Sequence, residues 1–390
     1  MRTPLPRQEG KEGEYHMTLF KKKQAAVSME EAMYMETQGQ LIWRKFKKHK
    51  LAMVGMVILI ILYMVGFFSE FFATQDIAKR STTAISMAPT KIHFVDAEGN
   101  FSLQPFVYGL KQEEDPVTWR KYYVEDTSQK YPLRFFYHGD SYKLLGFIPG
   151  DIHFFGTPQP DVFFPFGTDL SGRDLYSRVL SALRISLTTG LVGVFFTFIL
   201  GCLFGGISGF YGGVADTVIQ RVIEFLMSMP SIPLWMALAA AFPTTWSSLK
   251  TYFAITIILS LIGWTSLARV VRGKLLELRN EDFVTAARVA GATDSYIITK
   301  HLLPSFSSYL IVNVTLAIPS MILSETSLSF LGIGLTPPIV SLGVLLQDAQ
   351  SINTVSMYPW MMIPGLFVVI SVLAFNFVGD GLRDAADPYK

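Results

Sequence analysis

The sequence predicts an all-α integral membrane protein with six transmembrane helices and a small β-rich insertion outside the membrane. Half of its 390 residues are hydrophobic and only 16% are charged, a composition seldom found in soluble globular chains. The apolar residues also form runs of about 20, enough helix to cross a hydrocarbon core of about 30 Å. A formal net charge of +2 is too small to indicate a nucleic-acid partner.

The first apolar run, residues 51–73, follows a strongly basic segment. Residues 1–50 are otherwise polar and lack the apolar core of a signal peptide, so we expect a cytoplasmic tail. The tail ends in the sequence WRKFKKHK at 43–50. Because basic flanks stay on the inner side of the membrane, the N-terminus is predicted to be cytoplasmic.

Five further spans are predicted, and they return the C-terminus to the cytoplasm. Prolines at 230, 233 and 243 interrupt the apolar pattern of two of them. The short segments placed inside carry Arg221 and a cluster between Arg269 and Arg279, as the positive-inside bias requires. The five spans are roughly 185–209, 218–242, 252–271, 308–330 and 360–379.

Residues 74–175 are too long for a connection without structure of its own. The sequence DAEGN at 96–100 is typical of a turn, and residues 92–95 and 133–137 are rich in β-branched or aromatic side chains. We therefore expect an extracytoplasmic β-rich insertion at 74–175, followed by a five-helix core at 176–390.

A cytoplasmic connector at 272–304 joins the fourth and fifth predicted spans. Two short helices meeting at Gly291 fit this stretch, with Ala286, Ala287 and Ala290 forming a small-residue face and Pro304 ending the second helix or starting the next span. Such a face permits close approach by another protein. An amphipathic connector packed on the protein's own surface fits the composition equally well.

This connector resembles the "EAA" loop of binding-protein-dependent ABC importer permeases. Ala286, Ala287, Gly291 and the pair Leu303-Pro304 match that pattern, whereas Thr285 replaces its glutamate and His301 its isoleucine. In that family the loop docks into a cleft of the ATPase and transmits its closure to the membrane helices. The resemblance implies an ATPase-coupling loop that includes Glu281, Asp282, Thr285, Ala286, Ala287, Gly291, Ala292, Leu303 and Pro304.

Three more segments resemble the C-type subunit of dipeptide and oligopeptide permeases. They are PFGTDLSGRD at 165–174, SLSFLGIG at 327–334 and GDGLRDAADP at 379–388, although Leu342 stands where that subunit usually has tryptophan. The resemblance covers most of 160–390 and the first span, but not about 80–155. It implies a type I ABC importer permease fold in a bacterial or archaeal cytoplasmic (inner) membrane. The implied partners are a sister permease, two ATPase subunits and an extracytoplasmic substrate-binding protein, besides membrane lipid.

Four ionisable residues are candidates for the translocation path or its outer gate. Asp169, Arg173 and Asp174 are expected to form a charged network at the outer membrane surface, with a structural role or a contact to substrate. Glu325 lies near the outer end of an apolar span, where an ionisable group is costly and indicates a pore or a partner. A carboxylate that reaches the interface or bonds Ser324 or Ser327 is the alternative.

No catalytic constellation is present in the sequence. The chain has no GxxxxGK[ST] phosphate loop, its six histidines are scattered, and Cys202 is its single cysteine. We expect no enzyme activity and no cofactor in this chain, with ATP and Mg bound by partner subunits. The predicted function is permeation of di- or oligopeptides or related solutes, such as nickel chelates, glutathione or opines. Alternatives are a secondary transporter or channel, with Glu325 carrying an ion, and a membrane-anchored sensor.

Overall fold

The computed structural model describes residues 37–117, 119, 121–159, 161–243 and 245–387. Most of the predicted tail, residues 1–36, and Pro388 of the C-terminal segment lie outside these residues. The helices are α1 (Gln38–Lys48), α2 (Lys50–Phe67), α3 (Ser69–Phe72), α4 (Leu175–Tyr211), α5 (Gly213–Ser228), α6 (Ser231–Ala240), α7 (Ser248–Leu278), α8 (Asp282–Val289), α9 (Asp294–Tyr296), α10 (Leu303–Ser305), α11 (Ser307–Phe330), α12 (Leu342–Gln347), α13 (Ile352–Met357) and α14 (Ile363–Ala386).

Within the described residues, five helical segments are long and apolar enough to cross a membrane. They are α2, α4, most of α7, α11, and α14 together with the 3-10 turn Pro359–Met362 that precedes it. The helix of the second predicted span, 185–209, is longer than predicted: α4 begins ten residues before 185, where the carboxylate of Asp174 caps it, and ends at Tyr211. The first helix ends at Phe67, and the separate turn α3 follows.

The predicted third span, 218–242, is not one helix. Its residues belong to α5 and α6, which are bent by 91° relative to each other. Met229 adopts an extended conformation because it precedes Pro230, and the proline has no backbone N–H to continue the helix. The six helical spans of the prediction thus become five helical segments and one bent pair.

Helices α4 and α7 pack closely and run in the same direction. A Cβ added at Gly205 would lie 2.5 Å from the carbonyl oxygen of Ala268, so the two backbones approach where this side chain is missing. The Tyr252 hydroxyl, in the first turns of α7, lies 3.2 Å from the Thr188 hydroxyl in the first half of α4. At the other end, Arg279 donates to the Gly209 carbonyl oxygen at 3.3 Å.

The two ends of the described chain meet. Phe46 of α1 is 2% exposed and packs with Ala52 and Ala385. The Lys45 ammonium donates to the Asp387 carbonyl oxygen at 3.0 Å. Helix α14 also packs against α2 and α11 along its length, so the first and last membrane helices are neighbours.

The segment between α3 and α4 contains five strands: β1 (His93–Val95), β2 (Phe101–Glu114), β3 (Lys121–Pro132), β4 (Arg134–Leu144) and β5 (Ile148–Gly156). They form an antiparallel sheet in the order β1-β2-β3 and a separate antiparallel β4–β5 hairpin. The predicted turn at 96–100 is present, with the Asp96 carboxylate accepting from the backbone N–H of Asn100 at 2.8 Å. Strands were expected only near β1 and the start of β4.

Candidate functional site

The connector at 272–304 contains two short helical pieces joined at Gly291, as predicted. The first is α8, which ends in a Schellman motif: Gly291 donates to the Arg288 carbonyl oxygen at 2.9 Å and Ala292 to that of Ala287 at 3.0 Å. Gly291 has φ of +83°, a conformation that a residue with a Cβ adopts only with strain. The sharp turn at this position therefore depends on glycine.

The second piece starts at Thr293, whose hydroxyl caps α9, and continues through a π-helical turn, Ile297–Leu302, into α10. One face of both pieces is buried. Val284, Ile297 and Leu302 are fully inaccessible to solvent. They pack into a cluster with residues of α4 and α7, namely Phe210, Leu267, Val271 and Leu275.

Three arginines add polar contacts between the connector region and the membrane helices. Nε and Nη2 of Arg272 bond the two carboxylate oxygens of Asp216, each at 2.6 Å, which joins α7 to α5. The Arg288 guanidinium lies 5.2 Å from the ring centre of Phe210. With the Arg279 bond to Gly209, these contacts attach the connector to the end of α4.

The opposite face of the connector is open and made mainly of small residues. It forms a shallow groove of about 650 Å³. Next to it, the side chain of Val289 is 85% exposed. The groove is lined by Phe283, Ala286, Ala287, Ala290, Gly291, Ala292, Thr293, Tyr296 and His301. Leu303 and Pro304 instead form α10, below the π-helical turn.

Each of the two interpretations of the connector describes one of its faces: the small-residue face is open, and the amphipathic face is packed against the protein's own helices. Glu281 caps α8 at its N-terminus with an extended backbone, and Asp282 occupies the first turn. Both side chains are exposed, as is that of Thr285. The positive end of the helix dipole stabilises these negative charges at the start of α8. Phe283, Val289 and Tyr296 were not singled out from the sequence, although apolar residues in so polar a stretch are a signal for a docking surface.

Just before α4, Asp169 and Arg173 form the expected ion pair, with Nε 2.7 Å from Oδ2. A third charged residue, Arg178, was missed. Its side chain is 1% exposed, it also pairs with Asp169, and its guanidinium lies 3.8 Å from Asp348 after α12. An arginine three residues into an apolar helix is the signal that could have revealed it.

Asp174 is not part of this network. Its carboxylate accepts from the Ser177 backbone N–H at 2.9 Å and from the hydroxyls of Ser177 at 2.5 Å and Thr74 at 2.8 Å. Burial raises the pKa of this carboxyl above its usual value, and the hydrogen bonds from Ser177 and Thr74 oppose that shift. Asp174 therefore ties the start of α4 to the chain that leaves α3.

Glu325 is fully buried between α11, α4 and α12. Its two carboxylate oxygens accept from the hydroxyls of Ser186, at 3.2 Å, and Ser329, at 2.8 Å. The same hydroxyls accept from backbone N–H groups of Leu342 and Leu335. The expected bonds to Ser324 or Ser327 are absent because those hydroxyls bond the carbonyl oxygens of residues 320 and 323 on their own helix.

Residues 201–389 match the family described as the binding-protein-dependent transport system inner membrane component. The oligopeptide transport system permease protein OppC of Haemophilus influenzae is 41% identical to this chain over 233 residues, which cover 60% of this chain and 72% of that protein. This chain belongs to that family of permeases. The permease is also 35% identical over 347 residues, 89% of each chain, to the dipeptide transport system permease protein DppC of Lactococcus lactis.

Residues 37–89 of the permease match the N-terminal TM domain of oligopeptide transport permease C. The predicted resemblance to C-type peptide permeases is thereby confirmed. Among solved structures, the inward-facing MetNI methionine ABC transporter matches at 20% identity with a TM-score of 0.43, covering 53% of this chain and 95% of that one. That likeness is too weak to support an argument about the fold.

Among the described residues, no group of three or more histidine, cysteine, aspartate or glutamate side chains could hold a metal ion. A cavity of about 1250 Å³ lies at the other end of α11 from Glu325, between the start of α11 and the end of α14. Its walls include Lys274, Asn313, Asp380 and Arg383, so both signs of charge face it.

Proposed function

We propose that this permease imports di- or oligopeptides, or related small solutes, by alternating access driven by separate ATPase subunits. The observation that carries the proposal is the two-faced connector: an open groove of small residues on one side, and Val284, Ile297 and Leu302 packed into α4 and α7 on the other. We assign this groove, at 272–304, as the docking surface for an ATPase.

The construction of the connector explains how docking could move membrane helices. A surface on flexible loops would absorb a displacement, whereas packed interiors transmit it. Here the fully buried Ile297 and Leu302 pack in one cluster with Phe210 and Leu275. The Arg272–Asp216 pair joins the same region to the bent pair α5–α6. Movement of the groove would therefore shift the inner ends of α4, α5 and α7 together.

The proposed topology has six spans with both termini in the cytoplasm, residues 1–50 as the inner tail, 51–73 as the first span, 74–175 outside and 176–390 as the core. Two observations support it. Helices α4 and α7 run in the same direction, which supports a return crossing by the bent pair between them. The contact between α1 and Asp387, just after α14, supports an even number of crossings with both ends on one side.

Peptide substrates are proposed because the relatives above are named oligopeptide and dipeptide permeases. On the same basis we propose a sister permease, two ATPases that bind ATP and Mg, and an extracytoplasmic substrate-binding protein as partners. Asp169, Arg173, Asp174 and Glu325 would act at the outer gate. These residues would hold the start of α4 against α3, α11 and α12 rather than contact the solute. Protein donors occupy the carboxylates of Asp169, Asp174 and Glu325, and Arg173 is the donor to Asp169.

The test is co-purification of the tagged permease with its partners, comparing the native chain with Ala286→Trp. Ala286 is exposed in the groove and lies in regular helix, so a large side chain there would block docking without the backbone strain that any side chain meets at Gly291. The matched control is Ala97→Trp, which enlarges an exposed alanine on the turn before β2. Peptide uptake into vesicles containing ATP is measured with the same preparations.

We expect the native chain and the control to retain a sister permease and ATPases, and Ala286→Trp to lose the ATPases and ATP-driven uptake while keeping the sister permease. Vanadate should inhibit the native uptake. Uptake that survives vanadate and Ala286→Trp, but collapses with an ionophore, would overturn the proposal in favour of a secondary transporter.

A further inference from the structure

The β4–β5 hairpin exposes far more apolar surface than a domain in water would. Phe135 and Phe136 are each 63% exposed, Phe147 is 71% exposed, and Ile148 and Ile152 are also exposed. Soluble surfaces seldom carry so many large apolar side chains side by side unless another surface covers them. The position of the hairpin identifies what that surface is.

The hairpin begins at the end of the first membrane helix. The ring of Phe71, in α3, lies 6.3 Å from that of Phe136 and 6.0 Å from that of Phe154. Phe72 is 5.4 Å from Phe154. Phe67 of α2 and Phe68 are exposed immediately before this cluster. The outward apolar face of α2 therefore continues without interruption onto the hairpin.

The hairpin also stays level with the end of α2 farther along its length. Tyr142 lines a cavity of about 70 Å³ together with Glu70 and Arg184, and the Arg184 guanidinium bonds Glu70 at 2.7 Å. A Cβ on Gly66 would lie 3.1 Å from the backbone nitrogen of Arg184, so Arg184 is level with the last turn of α2. The hairpin thus crosses the ends of α2 and α4 instead of standing away from them.

Three of the exposed residues, Phe136, Ile148 and Ile152, share a face, whereas Phe135 pairs with Phe155 on the other face. Along β5, Ile148, Ile152 and Phe154 are separated by even numbers of residues, so their side chains lie on one side of the hairpin. Phe136 lies opposite Phe154, because its neighbours Phe135 and Tyr137 pair with Phe155 and His153. Phe136 has φ of +53°, an uncommon conformation for phenylalanine that is retained where a particular placement is required.

We infer that the β4–β5 hairpin is an interfacial anchor, with this apolar face lying in the boundary between lipid headgroups and acyl chains of the leaflet next to the C-terminal end of α2. Lipid is the occupant because the patch continues the exposed face of a membrane-spanning helix at the level where that helix ends. Aromatic side chains are enriched at this depth. The anchor would fix the orientation of the whole 74–174 segment on the membrane surface.

Spin labelling tests the anchor in the intact chain. In a Cys202→Ala background, which removes the single cysteine, a nitroxide is attached at Ile148→Cys or Ile152→Cys. The control is Leu103→Cys on β2, where the native side chain is 89% exposed. The permease, with the partners that co-purify, is placed in nanodiscs of phosphatidylethanolamine and phosphatidylglycerol. Power saturation then compares access of oxygen, which partitions into lipid, with access of a water-soluble nickel complex.

Compared with the label at 103, the labels at 148 and 152 should be less accessible to the nickel complex and more accessible to oxygen. The label at 103 should remain accessible to the nickel complex. Nickel access at 148 and 152 equal to that at 103 would overturn the anchor. Protection from both reagents would also overturn it, since protein would then cover the face, as would nickel access that disappears only when an extracytoplasmic binding protein is added. Loss of uptake in Ala286→Trp bears on the proposed function alone and leaves these labels unchanged.

Discussion

Two buried carboxylates in this permease, Glu325 and Asp174, are held by short hydroxyl side chains, whereas the buried Asp169 is held by two arginines. Glu325 bonds Ser186 and Ser329, and Asp174 bonds Ser177 and Thr74. Removing a carboxylate from water is costly unless donors replace the water. Each carboxylate also links elements distant in sequence, so its donors double as ties between helices.

For Glu325, we expect Glu325→Gln to keep ATP-driven uptake, because the amide occupies the same space between Ser186 and Ser329. Glu325→Ala should lower the free energy of unfolding by about 1–3 kcal/mol, since it leaves buried hydroxyls without their acceptor. Thermal unfolding in detergent and vesicle uptake measure the two effects. A Glu325→Gln chain that is stable but does not transport would mean that the carboxylate carries a coupling ion.

The stability of the turn before β2 is expected to depend on pH because of Asp96. The Lys130 ammonium, 2.7 Å away, and the backbone N–H of Asn100 hold the pKa of Asp96 well below its usual 3.8. A carboxyl with a lowered pKa stabilises the fold fully above pH 3.8 and loses that contribution as the pH falls further.

We therefore expect a spin label at Leu103→Cys, in the Cys202→Ala background, to become more mobile only below that value. Asp96→Asn should make the label mobile at neutral pH and remove the acid transition. An unchanged acid transition in Asp96→Asn would assign it to another group.

The sequence reveals some of these residues better than others. Asp174 and Glu325 stand out as acids beside apolar runs, whereas their partners Ser177, Ser186 and Ser329 resemble ordinary helix residues. Serine in a membrane helix usually bonds its own backbone, as Ser324 and Ser327 do. Whether a serine bonds its own backbone or a carboxylate on another helix depends on which helix it faces, and this is determined by the tertiary structure.

Among the elements, α4 and α7 provide a matched test of helix packing. In Gly205→Ala the new methyl group would lie 2.5 Å from the Ala268 carbonyl oxygen, whereas in Gly273→Ala it meets nothing within 4 Å. Gly205→Ala should cost about 1–3 kcal/mol through overpacking. Gly273→Ala should stabilise α7 by about 0.5–1 kcal/mol, because alanine favours helix. Thermal unfolding compares them, and equal shifts would show that the helices do not touch at Gly205.

The elements differ in how far the sequence predicts them. Spans such as α11 follow from apolar length alone, and Pro230 marks the break between α5 and α6. The direction and size of that bend depend on what the two helices pack against. Strand β3 was missed because most of its side chains are exposed and polar, so it lacks the apolar alternation by which a strand is recognised.

For the whole molecule, the proposed number of crossings is supported by two contacts far apart in sequence. The Lys45–Asp387 bond joins the two ends of the described chain. The contacts at the two ends of α4 and α7 show that these helices are parallel. Neither observation depends on hydropathy, by which the described residues contain five long apolar helices and the bent pair remains undecided.

Cysteine labelling can decide whether the bent pair crosses. In the Cys202→Ala background, Thr245→Cys probes the exposed connection between α6 and α7. Leu103→Cys serves as the outer reference and Val289→Cys, in the connector, as the inner one. If α5 and α6 cross together, an impermeant maleimide added to intact cells should label 245 and 103 but not 289. Labelling of 245 only after the cells are opened would make the pair re-entrant. Helix α7 would then start on the inner side, although it packs parallel to an α4 that is proposed to start on the outer side, so this result would overturn the proposed topology.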